Sequence, residues 1–135
     1  YSPGRWSISF EEPATIDDSR LAEHPIDTAR RGFREEFGLD IPAQHVDVLG
    51  AILEIQTLNV AIVVHLRCRA TSAEIQRSWA TDPRPVDHHE AEALAFLEFA
   101  AAKLEATPVD TGVPASLHPT SRMRLRLLSA AHAPA

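Results

Sequence analysis

Cysteine is almost missing from this sequence: among 135 residues there is a single one, Cys68. That excludes an internal disulfide framework and a zinc site built on cysteines. Cys68 lies in an apolar run, where a thiol is expected to be buried and inert. Long apolar runs are missing too. None reaches the roughly 18 residues of a membrane span, and no signal peptide is visible. A cytoplasmic location with no membrane partner is therefore the expectation. Basic charge is in short supply, with 13 Lys and Arg against 19 Asp and Glu and a formal net charge of −6. A surface for direct DNA or RNA binding needs the opposite balance. Aromatic residues make up 6% of the chain. Each is valuable as core, so Trp79 is expected inside rather than stacked on a ligand.

What is present is one domain's worth of chain with an ordinary apolar content of 44%, enough for a genuine core. The first residue is Tyr1 rather than Met, and the chain is expected to be a fragment or C-terminal domain of a longer one. The stretch that organises it runs from Glu23 to Leu39. Pro25 suits the first helical position, where a missing N–H costs nothing. Gly38 suits the left-handed residue just past the last turn. Ile26, Ala29, Phe33 and Phe37 recur at spacings of three and four, which makes one apolar stripe. Glu35 and Glu36 project from another side of the same helix, and two adjacent carboxylates on a rigid rod can hold a hard divalent cation. The commoner fate of such a pair is a solvated helix face.

Elsewhere the chain mixes strands and helices. Residues 6–10 alternate large apolar with small polar side chains, as a short strand does. The acids of the following loop, Glu11, Glu12, Asp17 and Asp18, are expected to solvate it, with a reach to a metal as the alternative. Residues 46–56 and 59–70 are rich in β-branched and aliphatic residues and predict an antiparallel hairpin. The second of them is nearly continuous in apolar residues around residues 60–66, which predicts a central strand buried on both faces. His65 within it reads as a satisfied core histidine. Gly50 marks a bulge or a close approach. Thr71 and Glu74 have the spacing of a capping box that opens a short helix to about residue 80. His88 and His89 are adjacent rather than four apart, so residues 86–92 read as a solvated acidic loop rather than a metal site. Residues 93–99 predict a strand running into an alanine-rich helix over 100–106, with one helical segment from Asp87 onward as the alternative. The last helix is expected over 120–131, with Met123, Leu127 and Leu128 inward and Arg122, Arg124 and Arg126 outward.

The central stretch resembles the box of the Nudix hydrolases, G-x5-E-x7-R-E-U-x-E-E-x-G-U, where U is a bulky apolar residue. Aligned without gaps, Glu23 is the first box Glu, Arg31 the box Arg and Phe33 the first U, and Glu35, Glu36, Gly38 and Leu39 follow in order. Asp17 stands where the opening Gly belongs, and Gly32 stands where a Glu belongs. The resemblance implies an α+β, α-β-α sandwich fold, a mixed sheet flanked by helices with little room for the first strand. The whole of residues 1–135 would be a single such domain. It implies that Glu23 and Arg31 form a structural ion pair, with Arg31 and Glu35 as the alternative pairing at i, i+4. It further implies Mg²⁺ or Mn²⁺ on Glu35 and Glu36, bridging the phosphates of a nucleotide-like small molecule. Glu36 and a downstream acid, Glu90 or Glu92, are the candidates for the base.

Two functions follow from that resemblance. One is a divergent Mg²⁺-dependent hydrolase that cleaves a phosphoanhydride in a nucleoside diphosphate-linked substrate. The other is a catalytically degenerate module that binds a nucleotide-like ligand or a protein partner, an attached domain or a second copy included. Position 32 separates them. Glycine there removes one ligand and costs the helix about 1 kcal/mol relative to alanine, a cost that makes sense if some group packs close against the backbone.

Overall fold

The structure, a computed structural model, describes residues 10–16, 21–81, 94–96 and 119–132. Among them the order is helix α1 (Pro25–Phe37), a 3₁₀ turn (Ala43–His45), strands β1 (Val46–Glu54) and β2 (Asn59–Leu66), helix α2 (Ser72–Trp79) and helix α3 (Pro119–Ala131). The described part is a small α+β domain with a two-stranded sheet flanked by helices. β1 and β2 are joined by four residues, Ile55 to Leu58. That is far too short for a parallel crossover, so the pair is an antiparallel hairpin. No helix among the described residues is long and apolar enough to cross a membrane.

The described residues fall into two compact units. The first draws on Phe10–Val48 and Val64–Phe96. Its core is Ala29 and Phe33 of α1 with Ile41 and Val46, and Phe10, Ile26, Phe37, Val64, Leu66 and Cys68 pack around them. Phe37 meets Phe33 at 5.1 Å and Phe10 edge-on at 6.0 Å between ring centroids, a favourable aromatic geometry. Cys68 is half-buried here, and its Sγ accepts the Ala70 N–H at 3.4 Å.

α1 begins and ends where its sequence dictates. Pro25 is its first residue, and Gly38 is left-handed at φ 65°, its N–H donating to the Arg34 carbonyl at 2.8 Å. The N-cap is His24, whose Nδ1 accepts the Ile26 N–H at 3.3 Å. α2 opens on the full capping box. The Thr71 hydroxyl accepts from the Glu74 N–H at 3.2 Å, and the Glu74 carboxylate accepts from the Thr71 N–H at 2.7 Å. That second bond holds the Glu74 carboxyl below its ordinary range. Trp79 at the end of α2 is buried.

The second unit draws on Leu49–Val63 and α3. Gly50 faces Leu127 of α3 at ordinary van der Waals distance. Ser121 and Ser129 are the buried residues of α3, whereas Met123 is exposed. The expected inward Met123 is therefore corrected; Leu127 and Leu128 are half-buried.

The strand expected to be buried on both faces is not. Ile52 and Val63 are buried, but Leu53, Val60 and Ile62 are exposed. Among the described residues β1 and β2 pair only with each other, so β2 is an edge strand and not the expected central one. Leu94, Ala95 and Phe96 carry no regular structure, which corrects the expected strand there. They have no ladder partner among the described residues. The remainder of that segment, the strand at 6–9 and the loop at 86–92 lie outside the described residues.

Candidate functional site

Three elements meet at Arg31, one turn before the paired acids of α1. Its guanidinium has five N–H donors in a rigid fork, and all five are used. Nε donates to Glu23 at 3.3 Å, and Nη2 donates to Glu23 Oε2 and to the Pro13 carbonyl, both at 2.9 Å. Nη1 donates to Glu35 Oε2 at 3.1 Å and, in a short contact, to Glu12. Arg31, Glu12 and Glu23 are mostly buried at about a fifth exposed or less, and Glu35 is more open at 38%.

Glu23 is the best-held acid of the set. Its carboxylate also accepts from the Thr15 and Thr28 hydroxyls at 3.1 Å and from the Thr15 N–H at 3.4 Å. The Glu23 N–H returns a bond to the Thr15 carbonyl at 2.8 Å, and Ile16 and Ala22 form an isolated antiparallel bridge. Arg31 first, and then the Thr15 and Thr28 donors, hold the Glu23 carboxyl at about 2 against the opposing effect of burial. Glu23 in turn raises Arg31, keeping it firmly protonated.

The two pairings open to Arg31 are thus made together, with Glu23 and with Glu35. Glu12 is a correction: it was expected to solvate its loop, yet it is half-buried on Arg31. No local pattern could reveal this, because the two residues are 19 apart in sequence. The one available signal was Gly32. A β-carbon there would lie 2.6 Å from Phe10 Cε2 and 3.0 Å from Cβ and Cγ of Glu12. The close-packing group implied by a mid-helix glycine is the Phe10 ring together with the Glu12 stem.

The metal ligands implied by the resemblance are placed as follows. Glu35 and Glu36 are both half-buried on α1. Asp17 and Glu90 lie outside the described residues. No group of three His, Cys, Asp or Glu among the described residues is placed to hold a metal ion. A divalent cation on Glu35 would sit next to a guanidinium that already donates to that carboxylate, and like charges at that range repel.

No protein-family model matches the chain, and no curated protein or solved structure matches it either.

A second feature lies at the other end of α1. An open groove of about 510 Å³ runs along α2, with Leu39 as an apolar wall and Arg69, Arg77, Ser78 and Thr81 at its sides. Glu74 also lines it, but the capping bonds to Thr71 engage that carboxylate. The Thr81 hydroxyl donates to the Arg77 carbonyl at 2.8 Å. Arg31, Glu35 and Glu36 do not line this groove. Two arginines among the lining residues suit an anionic group. Sequence reasoning missed the groove, since Arg69 and Arg77 belong to different elements.

Proposed function

We propose that this chain is a Nudix-like module that has lost turnover and works by binding, taking a nucleotide-like ligand or a protein partner and regulating a domain attached to it. The observation that carries the reading is the saturation of Arg31. Its donors hold Glu12, Glu23 and Glu35 at once, so the acid that would bind a cation serves instead to brace the helix and loop. The place of a side chain at position 32 is taken by Phe10, so the helix offers no third carboxylate. The groove flanked by Arg69 and Arg77 supports an anionic ligand, with phosphate as the group those side chains would hold.

One observation favours the other reading, a hydrolase acting on nucleoside diphosphate-linked compounds with Mg²⁺ or Mn²⁺ through Glu35, Glu36 and Glu90. Glu12 packs its stem against Gly32 and brings its carboxylate to Arg31, one residue from where the box pattern has its missing acid. A panel of nucleoside diphosphate-linked compounds separates the two. Phosphate or nucleotide release is followed with each metal, for the wild type and for Glu36→Gln. The binding reading expects no release above the protein-free control from either protein. Metal-dependent release that disappears in Glu36→Gln would overturn it. Calorimetric titration with a nucleoside diphosphate should show binding that weakens about tenfold in Arg69→Glu, a loss typical of one charge-assisted hydrogen bond.

A further inference from the structure

We infer that the groove along α2 takes the phosphate of a small molecule directly on Arg69 and Arg77, without a bridging metal ion, which rests on the binding reading above and names its ligand. The chain carries 19 Asp and Glu against 13 Lys and Arg, so acids are plentiful enough to neutralise most guanidiniums. In the first unit they largely do. Arg30 pairs with Asp27, Arg31 with Glu12, Glu23 and Glu35, Arg34 with Asp40, and Arg67 with Asp47. Arg69 and Arg77 are the exceptions. Among the described residues neither guanidinium has an ion pair or a hydrogen bond, and both line the same groove. In an acid-rich chain, two cations left open on one groove point to an anion from outside.

The lining selects the class of anion. Ser78 adds a hydroxyl, which stands where a β-carbon at Gly38 would come within 3.1 Å of its Oγ. Donors on two elements, the segment after β2 and helix α2, suit a tetrahedral group with three acceptor oxygens better than a planar carboxylate. The volume of about 510 Å³ falls among small-molecule sites, roughly 300–1,000 Å³. A protein partner needs a far broader face. A hard divalent cation takes several oxygen ligands, but among the described residues Glu74 is the only acid in the lining. Its carboxylate already accepts from the Thr71 N–H and hydroxyl at 2.7 and 2.8 Å. Those bonds, with a lesser pull from Arg77, hold the Glu74 carboxyl below its ordinary range. Glu74 therefore stays charged at neutral pH and opposes an anion beside it, which sets how tightly the groove binds.

Calorimetric titration of the full chain with inorganic pyrophosphate, in excess EDTA and again with Mg²⁺, tests the assignment. Binding should appear in EDTA and should not tighten with Mg²⁺, because the metal neutralises the charge that the arginines hold. Arg77→Gln should weaken it about tenfold, the loss of one charge-assisted hydrogen bond. Glu74→Gln keeps the capping box, since glutamine caps as glutamate does. It should tighten binding about threefold, the size of one Coulombic contact near water, with an unchanged thermal midpoint. No binding in EDTA, an oligoglutamate peptide that binds where pyrophosphate does not, or a Glu74→Gln affinity no higher than wild type would each overturn the inference. A nucleoside diphosphate that binds only with Mg²⁺ would overturn it too, yet leave the binding reading in place. Metal-dependent release that Glu36→Gln abolishes would instead overturn that reading.

Discussion

The surroundings of Arg31 and the outer hairpin treat their side chains in opposite ways. Around Arg31, three carboxylates crowd one guanidinium, and Ala29 and Phe33 of the same helix are buried. At the outer hairpin, aliphatic side chains stand in solvent with no basic residue near them in sequence. The first region satisfies its polar groups internally, so its interactions stabilise the fold. The second leaves apolar side chains exposed, so those side chains contribute little to folding. The difference shows that an acid conspicuous in the sequence, Glu35, is engaged within the fold by Arg31.

Substitutions can break this contrast at several strengths. Arg31→Met should have the largest effect, since it leaves Glu12, Glu23 and Glu35 without their shared cation. Removing one partner of such a network costs about 3 kcal/mol, read as a lower urea midpoint at neutral pH.

Acid should undo much of the same stabilisation by another route. Glu23 is held at about 2 in the folded chain, against an ordinary 4.5. A carboxyl depressed by folding contributes its full stabilisation above the ordinary value, and that contribution is lost as pH falls from about 4.5 towards 2. Urea midpoints measured across that window should fall, and Glu23→Gln should flatten the fall. An equal slope in the variant would show that the Glu23–Arg31 pair adds little.

Gly32→Ala comes next. Helix propensity alone predicts a gain of about 1 kcal/mol, but the new methyl would meet the Phe10 ring. Overpacking should turn the gain into a loss of about 2 kcal/mol. In a Phe10→Ala background the penalty should shrink by about half, and a double-mutant cycle measures that coupling. Thr71→Ala, which removes the cap of α2, should cost about 1 kcal/mol. Ile62→Lys on the outer hairpin should change the stability of the protein by less than about 0.5 kcal/mol. A large loss there would mean that the hairpin face is core after all, and the contrast between the regions would fail.

The elements that sequence made legible are those specified by neighbours in the chain. Pro25 and Gly38 bound α1, Thr71 and Glu74 start α2, and β-branched runs on either side of a short turn form the hairpin. The features it hid depend on residues far apart. Glu12 reached Arg31 across 19 positions, and Phe10 reached Gly32 across a loop whose course no periodicity encodes. His24 as a cap was also missed, because histidine is not among the favoured capping residues. The exposure of Val60 and Ile62 was misjudged for a related reason. An apolar run shows that a strand can be buried, and only its neighbours decide whether it is.

The contact between Phe10 and Gly32 also bears on how this chain can change over generations. A glutamate at position 32 would complete the three-acid helix face of the Nudix pattern. Introduced alone, it would drive its β-carbon into the Phe10 ring. Trimming Phe10 first would open a void beside Phe37, whose ring the Phe10 edge now covers. Each single step lowers stability, and only the two together offer relief. The step to a three-carboxylate helix therefore passes through a less stable single variant whichever of the two positions changes first.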